Sequence, residues 1–226
     1  MAKIPRKYLQ GICKIGIPTA IQGMAYCVIS MVLTRMISVY GSDAVATQRV
    51  GGQIESVSWN TADGFAAALN AFVAQNYGAG KPERIWSGIK ASTLMMVIYT
   101  AVTFLILMVG AKSFALIFVD PSEIEILEKT ELFLHISVSF FPMLGLLCIL
   151  RYTIQGVGYT NLAMFSGVSE MIARILVSIY AVPAFGFIAV CYGDPMAWIA
   201  ADLFLIPAFI YVYRRLKRQV LTSAVA

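Results

Sequence analysis

The sequence predicts an all-α polytopic membrane protein with six transmembrane helices. Apolar residues make up 59% of the 226 residues and charged residues only 13%, whereas a soluble domain has about 45–50% and about 25%. Several charge-free stretches reach the length of about 20 residues that a helix needs to cross a bilayer. They are too continuous for the strands of a membrane barrel, which alternate over roughly 10 residues, and helices satisfy their own backbone groups in lipid.

The first three helices are expected near 15–39, 44–76 and 85–110. The first and third contain long runs without any charge, whereas the second is less apolar and rich in Ala and Gly. Gly, Pro and Asp occur at the ends of these segments and are typical of helix boundaries. The boundary sequences are Tyr40-Gly41-Ser42-Asp43 and Gly78-Ala79-Gly80-Lys81-Pro82.

The last three helices are expected near 123–156, 159–184 and 195–214. His135 is the only acidic or basic residue in the centre of the fourth, and Asp202 is the only one in the first nineteen residues of the sixth. Ser122 precedes the fourth helix with Glu125 three residues later, a pattern that predicts a capping box. The boundaries again contain Gly, Pro or Asp: Asp120-Pro121-Ser122, Gly156-Val157-Gly158 and Gly193-Asp194-Pro195.

The basic residues predict how the chain sits in the cell membrane. Lys and Arg concentrate at one end of the expected helices, and the positive-inside rule places that end in the cytoplasm. The net charge of +5 is thus a topology signal, and we expect lipid, not nucleic acid, as the partner. The predicted organisation is a basic cytoplasmic segment at 1–14, a six-helix membrane domain at 15–214 and a cytoplasmic tail at 215–226.

The second helix carries a stripe of polar and small residues that lipid would not tolerate. At 100° per residue the stripe occupies about 80° of the helix surface, and Glu55 lies roughly 17 Å along the helix, near the midplane. One interpretation is a translocation pathway in which Glu55 binds a proton or cation; the alternative is hydrogen bonding between packed helices. The candidate cavity-lining residues are Gln48, Gly52, Trp59 and Asn70, and Glu55 and Asp63 are candidates for ion coupling.

Other charged residues in the spans have simpler interpretations. Glu170 and Arg174 are spaced i, i+4 on one helix and are expected to form a structural ion pair. Asp202 is a third coupling candidate, which either pairs with Arg174 across helices or lines the cavity. Arg151 lies near the end of a span and is expected to extend its charge to the membrane surface.

The sequence lacks the patterns that are typical of enzymes and metal sites. It contains no GxSxG, HExxH or Walker A motif, one His in total, and four Cys without a CxxC pair. We therefore predict no catalytic residues, no metal site and no cofactor other than H⁺ or Na⁺ as a coupling ion.

Several segments taken in order resemble the multidrug and toxic compound extrusion (MATE) family, over about residues 10–215. The similarity is to the second six-helix lobe of its bacterial members. The stretch at 75–81, Gln-Asn-Tyr-Gly-Ala-Gly-Lys, is the most specific part. The other segments are Ile15-Gly16-Ile17-Pro18, Gly41-Ser42-Asp43-Ala44-Val45-Ala46, Gln53-Ile54-Glu55-Ser56, Gln155-Gly156-Val157-Gly158, Glu170 with Arg174, and Ala197-Trp198-Ile199.

The resemblance implies a secondary antiporter that exports organic cations or other amphiphiles in exchange for H⁺ or Na⁺. The family fold has two six-helix lobes around a central cavity. We therefore expect this chain to be a truncated or split product, or one half of a homodimer. Family members often carry Glu in the first helix and Asp in the fourth helix of this lobe. The corresponding stretches 22–27 and 143–150 contain no carboxylate here, which leaves Glu55 as the candidate.

Two alternatives remain open from the sequence. A lipid-linked oligosaccharide flippase has a similar architecture but is expected to have a strongly cationic cavity, whereas the spans here carry more acid than base at mid-depth. The other alternative is a membrane fragment or accessory subunit that does not transport.

Overall fold

The structure is a computed structural model that describes residues 30–223 continuously and the isolated positions 13, 17, 20, 24, 27 and 28. Side chains are described as far as Lys217. The predicted N-terminal segment 1–14, apart from residue 13, lies outside the described residues, as do the last three residues of the predicted tail.

The described part of the chain consists of helices joined by short turns, which confirms the predicted all-α class. The first helix, α1, is continuous from residue 30 to residue 37 and passes into a 3₁₀ turn, Ser38–Tyr40. The remaining elements are α2 (Ser42–Gly78), α3 (Pro82–Ala115), α4 (Ile124–Ser139), α5 (Phe141–Gly156), α6 (Thr160–Leu176), the π turn (Val177–Ala181), α7 (Val182–Phe185), α8 (Phe187–Cys191) and α9 (Gly193–Ser223).

Among the described residues, three helical segments are long and apolar enough to cross a membrane. They are Pro82–Ala115, Thr160–Phe185 and Gly193–Lys217, and the bent pair of α4 and α5 makes a fourth if it is one span. Helix α2 has 37 residues, a length of about 55 Å at 1.5 Å per residue. Its polar stripe makes it less apolar than these segments, in agreement with its weaker sequence signal.

The fourth predicted helix, 123–156, is not continuous. Helices α4 and α5 meet at Phe140 with a bend of 47°. Pro142 lies in the first turn of α5, where proline is tolerated because the N–H groups of that turn have no partner inside the helix. Continuing α4 through Pro142 would remove a backbone hydrogen bond and force the ring against the preceding turn. The prediction of one unbroken helix was therefore wrong at this position.

The loop before α4 also differs from its prediction. The capping box of Ser122 and Glu125 does not form, and Glu123 precedes α4 without a side-chain cap. The Ser122 hydroxyl and backbone N–H instead donate to Asp120 Oδ1 over 2.7 and 2.9 Å. Because both donors favour the ionised carboxylate, they hold the pKa of Asp120 below its usual range.

Helix α5 lies at the centre of the bundle and contacts α2, α3, α6 and α9. Phe141 packs edge-on against Trp198 of α9, with ring centroids 5.9 Å apart. At the other end of α5, Gly156 packs on the backbone of α2, where an added Cβ would lie 2.8 Å from the Asn70 carbonyl oxygen. Helix α9 also packs along α6 and continues to Ser223. Residues 215–223, predicted as tail, therefore extend the last helix.

Candidate functional site

Glu55 is buried where α2 meets α4. The residue is 6% exposed, and its Oε1 accepts a hydrogen bond of 2.8 Å from the Ser137 hydroxyl. One turn earlier on both helices, Gly51 faces Phe133, and an added Cβ at Gly51 would lie 2.5 Å from Phe133 Cδ1. The missing side chain at Gly51 therefore lets α4 come close enough for Ser137 to reach the carboxyl group.

Glu55 also lines a pocket between α2, α6 and α9. The pocket has a volume of about 230 Å³ and holds two acidic side chains, one arginine and two tryptophans. A pocket that holds both a carboxyl group and indole rings has the groups that bind a cation through charge and through cation–π contact. The lining residues are Gly52, Glu55, Ser56, Trp59, Arg174, Asp194 and Trp198.

A second pocket, of about 370 Å³, adjoins the first, because Gly52, Arg174 and Asp194 line both. Gln48 and Arg49 of α2 lie in its wall. These two adjoining pockets are called the joined pockets below. Together they follow α2 for about three turns, and their walls are polar over much of that length.

The predicted stripe on α2 divides into two parts. Gln48, Gly52, Glu55 and Trp59 line the joined pockets, whereas Asn70 is half-buried and is not among their lining residues. Asp63 is also half-buried, and its Oδ1 accepts a hydrogen bond from the Tyr152 hydroxyl of α5. The first part of the stripe therefore faces a cavity, and the Asp63 part bonds to a neighbouring helix.

Four charged residues form a chain of ion pairs from α9 through α6 to α5. Arg174 Nε donates to Asp194 Oδ1 over 2.9 Å, and Arg174 Nη1 donates to Glu170 Oε2 over 3.3 Å. The other oxygen of Glu170 pairs with Arg151 Nη2. Acid and base alternate along this chain, so each charge has an opposite neighbour. Glu170 and Arg174 thus pair with each other and also with residues of two further helices.

Arg151 does not extend to the membrane surface. Its side chain is mostly buried, pairs with Glu170 and donates from Nε to the Ser166 hydroxyl over 3.0 Å. The sequence did not predict the pair of Arg151 and Glu170, because Glu170 is 19 residues away on another helix. A helical wheel gives the direction of a side chain but not which helix it meets.

Asp202 neither pairs with Arg174 nor lines the joined pockets. Arg174 binds Glu170 and Asp194 instead of Asp202, and Asp202 is not among the residues that line the joined pockets. Asp202 is 4% exposed, and neither carboxyl oxygen has a hydrogen-bond partner among the described residues. It is therefore a buried acidic group separate from the Glu55 pocket.

No metal site is evident in the part of the chain that the structure describes. Within it, no group of three or more His, Cys, Asp or Glu side chains is arranged to hold a metal ion.

The family of this helical lobe follows from a match to a known protein family. A family model, MatE, matches residues 18–180, more than half of the 226 residues. The chain belongs to the MATE family. This confirms the resemblance read from the sequence, and with it the assignment to a multi-pass membrane transporter family.

The chain is also similar to a curated relative, and it shares its fold with solved MATE-type structures. The chain is 26% identical over 116 residues to the "Probable multidrug resistance protein NorM" of Thermotoga maritima, over 51% of this chain and 25% of that protein. It matches an outward-facing "multidrug resistance MATE family transporter of the MOP superfamily" with a TM-score of 0.81 and 15% identity. A MOP superfamily transporter from Pyrococcus furiosus, described as having a binding pocket of reverse polarity, matches with a TM-score of 0.79 and 14% identity.

The fold match covers one half of each MATE-type structure. The alignments take in 96% and 95% of this chain but 49% and 48% of the two solved chains. The chain therefore spans about half the length of the structures that share its fold, which confirms the prediction of a single lobe.

Proposed function

We propose that the chain forms one lobe of a secondary antiporter that exports organic cations or other amphiphiles in exchange for H⁺ or Na⁺. The observation that carries this proposal is the buried carboxyl of Glu55 on the wall of a pocket that also holds Trp59 and Trp198. Membership of the MATE family supports it.

The proposed exchange depends on competition for one carboxyl group. In its anionic form Glu55 attracts a cation that enters the pocket, and the ring faces of Trp59 and Trp198 add to that attraction. When Glu55 takes up the coupling ion, its charge is neutralised and the attraction to the cation is lost. Arg174 is paired with Glu170 and Asp194, so its charge opposes cation binding less than an unpaired arginine would.

The charge of the pocket favours this function over a lipid-linked oligosaccharide flippase. A carrier for an anionic lipid-linked sugar is expected to have a strongly cationic cavity. The joined pockets instead hold two acidic residues, Glu55 and Asp194, against two basic residues, Arg49 and Arg174, so they have no excess of positive charge. This balance supports the antiporter.

The antiporter also requires a second six-helix lobe, which we propose is supplied either by a longer reading frame or by a second chain. Reading the genomic sequence upstream of Met1 distinguishes these sources. An in-frame six-helix lobe there would overturn the homodimer, and its absence together with transport by the purified chain alone would support it.

Replacing Glu55 with Gln should lower gradient-driven flux of a fluorescent organic cation at least about tenfold, which corresponds to about 1.4 kcal/mol. Gln is similar in size to Glu, but it can neither release a proton nor pair with a cation as an anion. The flux is measured in proteoliposomes that contain the complete transport unit, with a pH gradient and a Na⁺ gradient imposed separately.

Glu125→Gln is the matched control, because Glu125 is an exposed carboxylate in an i, i+4 pair with Lys129. It should leave the flux unchanged. Gradient-driven flux that survives Glu55→Gln would remove Glu55 from the coupling mechanism. No flux under either gradient, in a unit with both lobes, would favour the non-transporting alternative.

A further inference from the structure

The carboxyl group of Asp202 lies inside the bundle without a partner. The residue is 4% exposed on α9, and neither oxygen has a hydrogen bond to any residue that the structure describes. Trp198, one turn earlier on the same helix, is packed against Phe141. The Asp202 side chain is therefore enclosed, and it does not line the joined pockets.

An ionised carboxylate in this environment would be unstable. Moving a carboxylate from water into a protein interior costs several kcal/mol unless a cation and hydrogen bonds replace its hydration. Neither oxygen of Asp202 has such a replacement among the described residues. The protonated, neutral form is therefore the one that fits the observed packing.

Two titratable groups of α5, Arg151 and Cys148, interact with the Asp202 carboxyl, and the groups around Arg151 come from α5, α6 and α2. Arg151 of α5 is the positive group whose charge acts on the Asp202 carboxyl. Arg151 is at present bonded to Glu170 and Ser166 of α6. Glu170 is in turn paired with Arg174, and α2 contributes Asp63, which is bonded to Tyr152. The guanidinium of Arg151 could therefore stabilise ionised Asp202, but it is bound to the carboxylate of Glu170.

We propose that Asp202 is a proton-binding site and that Arg151 is its positioning residue, which exchanges between Glu170 and Asp202. While Arg151 binds Glu170, Asp202 keeps its proton. When water reaches the carboxyl group and takes up the proton, Arg151 turns to the new carboxylate, and Glu170 keeps its pair with Arg174. The guanidinium moves between two acids, so neither acid is ionised without a partner.

The surroundings favour a proton over a metal cation as the ligand. A Ca²⁺ or similar hard cation takes six or more oxygen ligands, whereas the described residues offer no group of three acidic, His or Cys side chains. The positive charge of Arg151 also repels a metal ion. A proton needs only one carboxyl oxygen.

This inference goes beyond the proposed function, because Asp202 can bind a proton whether or not the lobe transports. The test is infrared difference spectroscopy on the purified chain in lipid films during steps of pH. Protonated carboxyl groups absorb in a region where ionised carboxylates do not. We expect a protonated-carboxyl band that disappears in Asp202→Asn and persists in Glu55→Gln. A spectrum in which Asp202→Asn changes no such band at any pH would overturn the site.

A second variant tests the exchange and does not remove Asp202. Glu170→Gln frees Arg151 from its carboxylate partner, so Arg151 should turn to Asp202 and the Asp202 band at neutral pH should fall by at least about half. Glu125→Gln, at an exposed ion pair, should leave the band unchanged. An unchanged Asp202 band in Glu170→Gln would overturn the role of Arg151. Failure of the antiporter would appear in the flux of Glu55→Gln, which is a separate readout.

Discussion

Replacing Arg174 with Met should lower the free energy of unfolding of the chain by about 2–3 kcal/mol, because it removes the shared partner of two carboxylates. The loss is smaller than for a fully buried ion pair, since the Asp194 side chain is 39% exposed and water screens its charge. Arg174 is buried and joins Glu170 of its own helix to Asp194 of α9. Without it, Asp194 loses its ion pair and Glu170 keeps only Arg151. Met is apolar and similar in length to Arg, so the lost free energy of unfolding measures the contribution of the charge and its hydrogen bonds.

The chain contains its own probes for this measurement. Cys148 and Cys191 are buried free thiols, so a thiol-reactive dye reports their exposure during thermal unfolding in detergent. The exposed Cys13 and Cys27 are first replaced with Ser. We expect the midpoint to fall by about 5–10 °C. Arg49→Met, at an exposed arginine of the pocket wall, should shift it little. Equal midpoints for the two variants would show that the ion-pair chain does not stabilise the lobe.

Replacing Gly156 with Ala should cost about 2–3 kcal/mol, since overpacking a close contact typically costs about 1–3 kcal/mol. An added Cβ would lie 2.8 Å from the Asn70 carbonyl oxygen and 2.9 Å from Val73 Cβ. The carbonyl belongs to the backbone of α2, so relief requires α5 to move away from α2. Tyr152 lies one turn before Gly156, so the same movement weakens its hydrogen bond to Asp63.

Gly64→Ala is the matched control for Gly156→Ala. Gly64 also lies inside a helix, but no heavy atom is within 4 Å of the position where its Cβ would be. Ala favours a helix over Gly by about 1 kcal/mol, so this variant should be neutral or slightly stabilised in the same thiol assay. If Gly156→Ala unfolds at the temperature of Gly64→Ala, the close contact between α5 and α2 is not a source of stability.

The sequence was sufficient to predict the helices near 44–76, 85–110, 159–184 and 195–214 and the side of the second helix that faces the joined pockets. Charge-free runs mark the helices because lipid excludes ionised side chains, and the 3.6-residue repeat places Gln48, Gly52, Glu55 and Trp59 on one face. Both inferences depend on local sequence. The structure agrees with them, since these four residues line the joined pockets.

Contacts between distant helices could not be predicted in the same way. Arg151 meets Glu170, and Arg174 meets Asp194, because of how α5, α6 and α9 pack. Helical periodicity does not encode that packing. The bend at Phe140 had a partial signal in Pro142. Whether a proline bends a helix depends on whether neighbouring helices can satisfy the freed backbone groups, and one sequence does not reveal those neighbours.

The ion-pair chain of Asp194, Arg174, Glu170 and Arg151 has an electrical consequence. Its two positive and two negative charges cancel, so the chain adds no net charge to the part of the lobe that experiences the membrane voltage. In the proposed exchange, the charge that moves is then set by the coupling ion and the exported cation. One proton exchanged for one monovalent cation would be electrically silent, whereas each unbalanced charge would couple to voltage by about 2.3 kcal/mol per 100 mV.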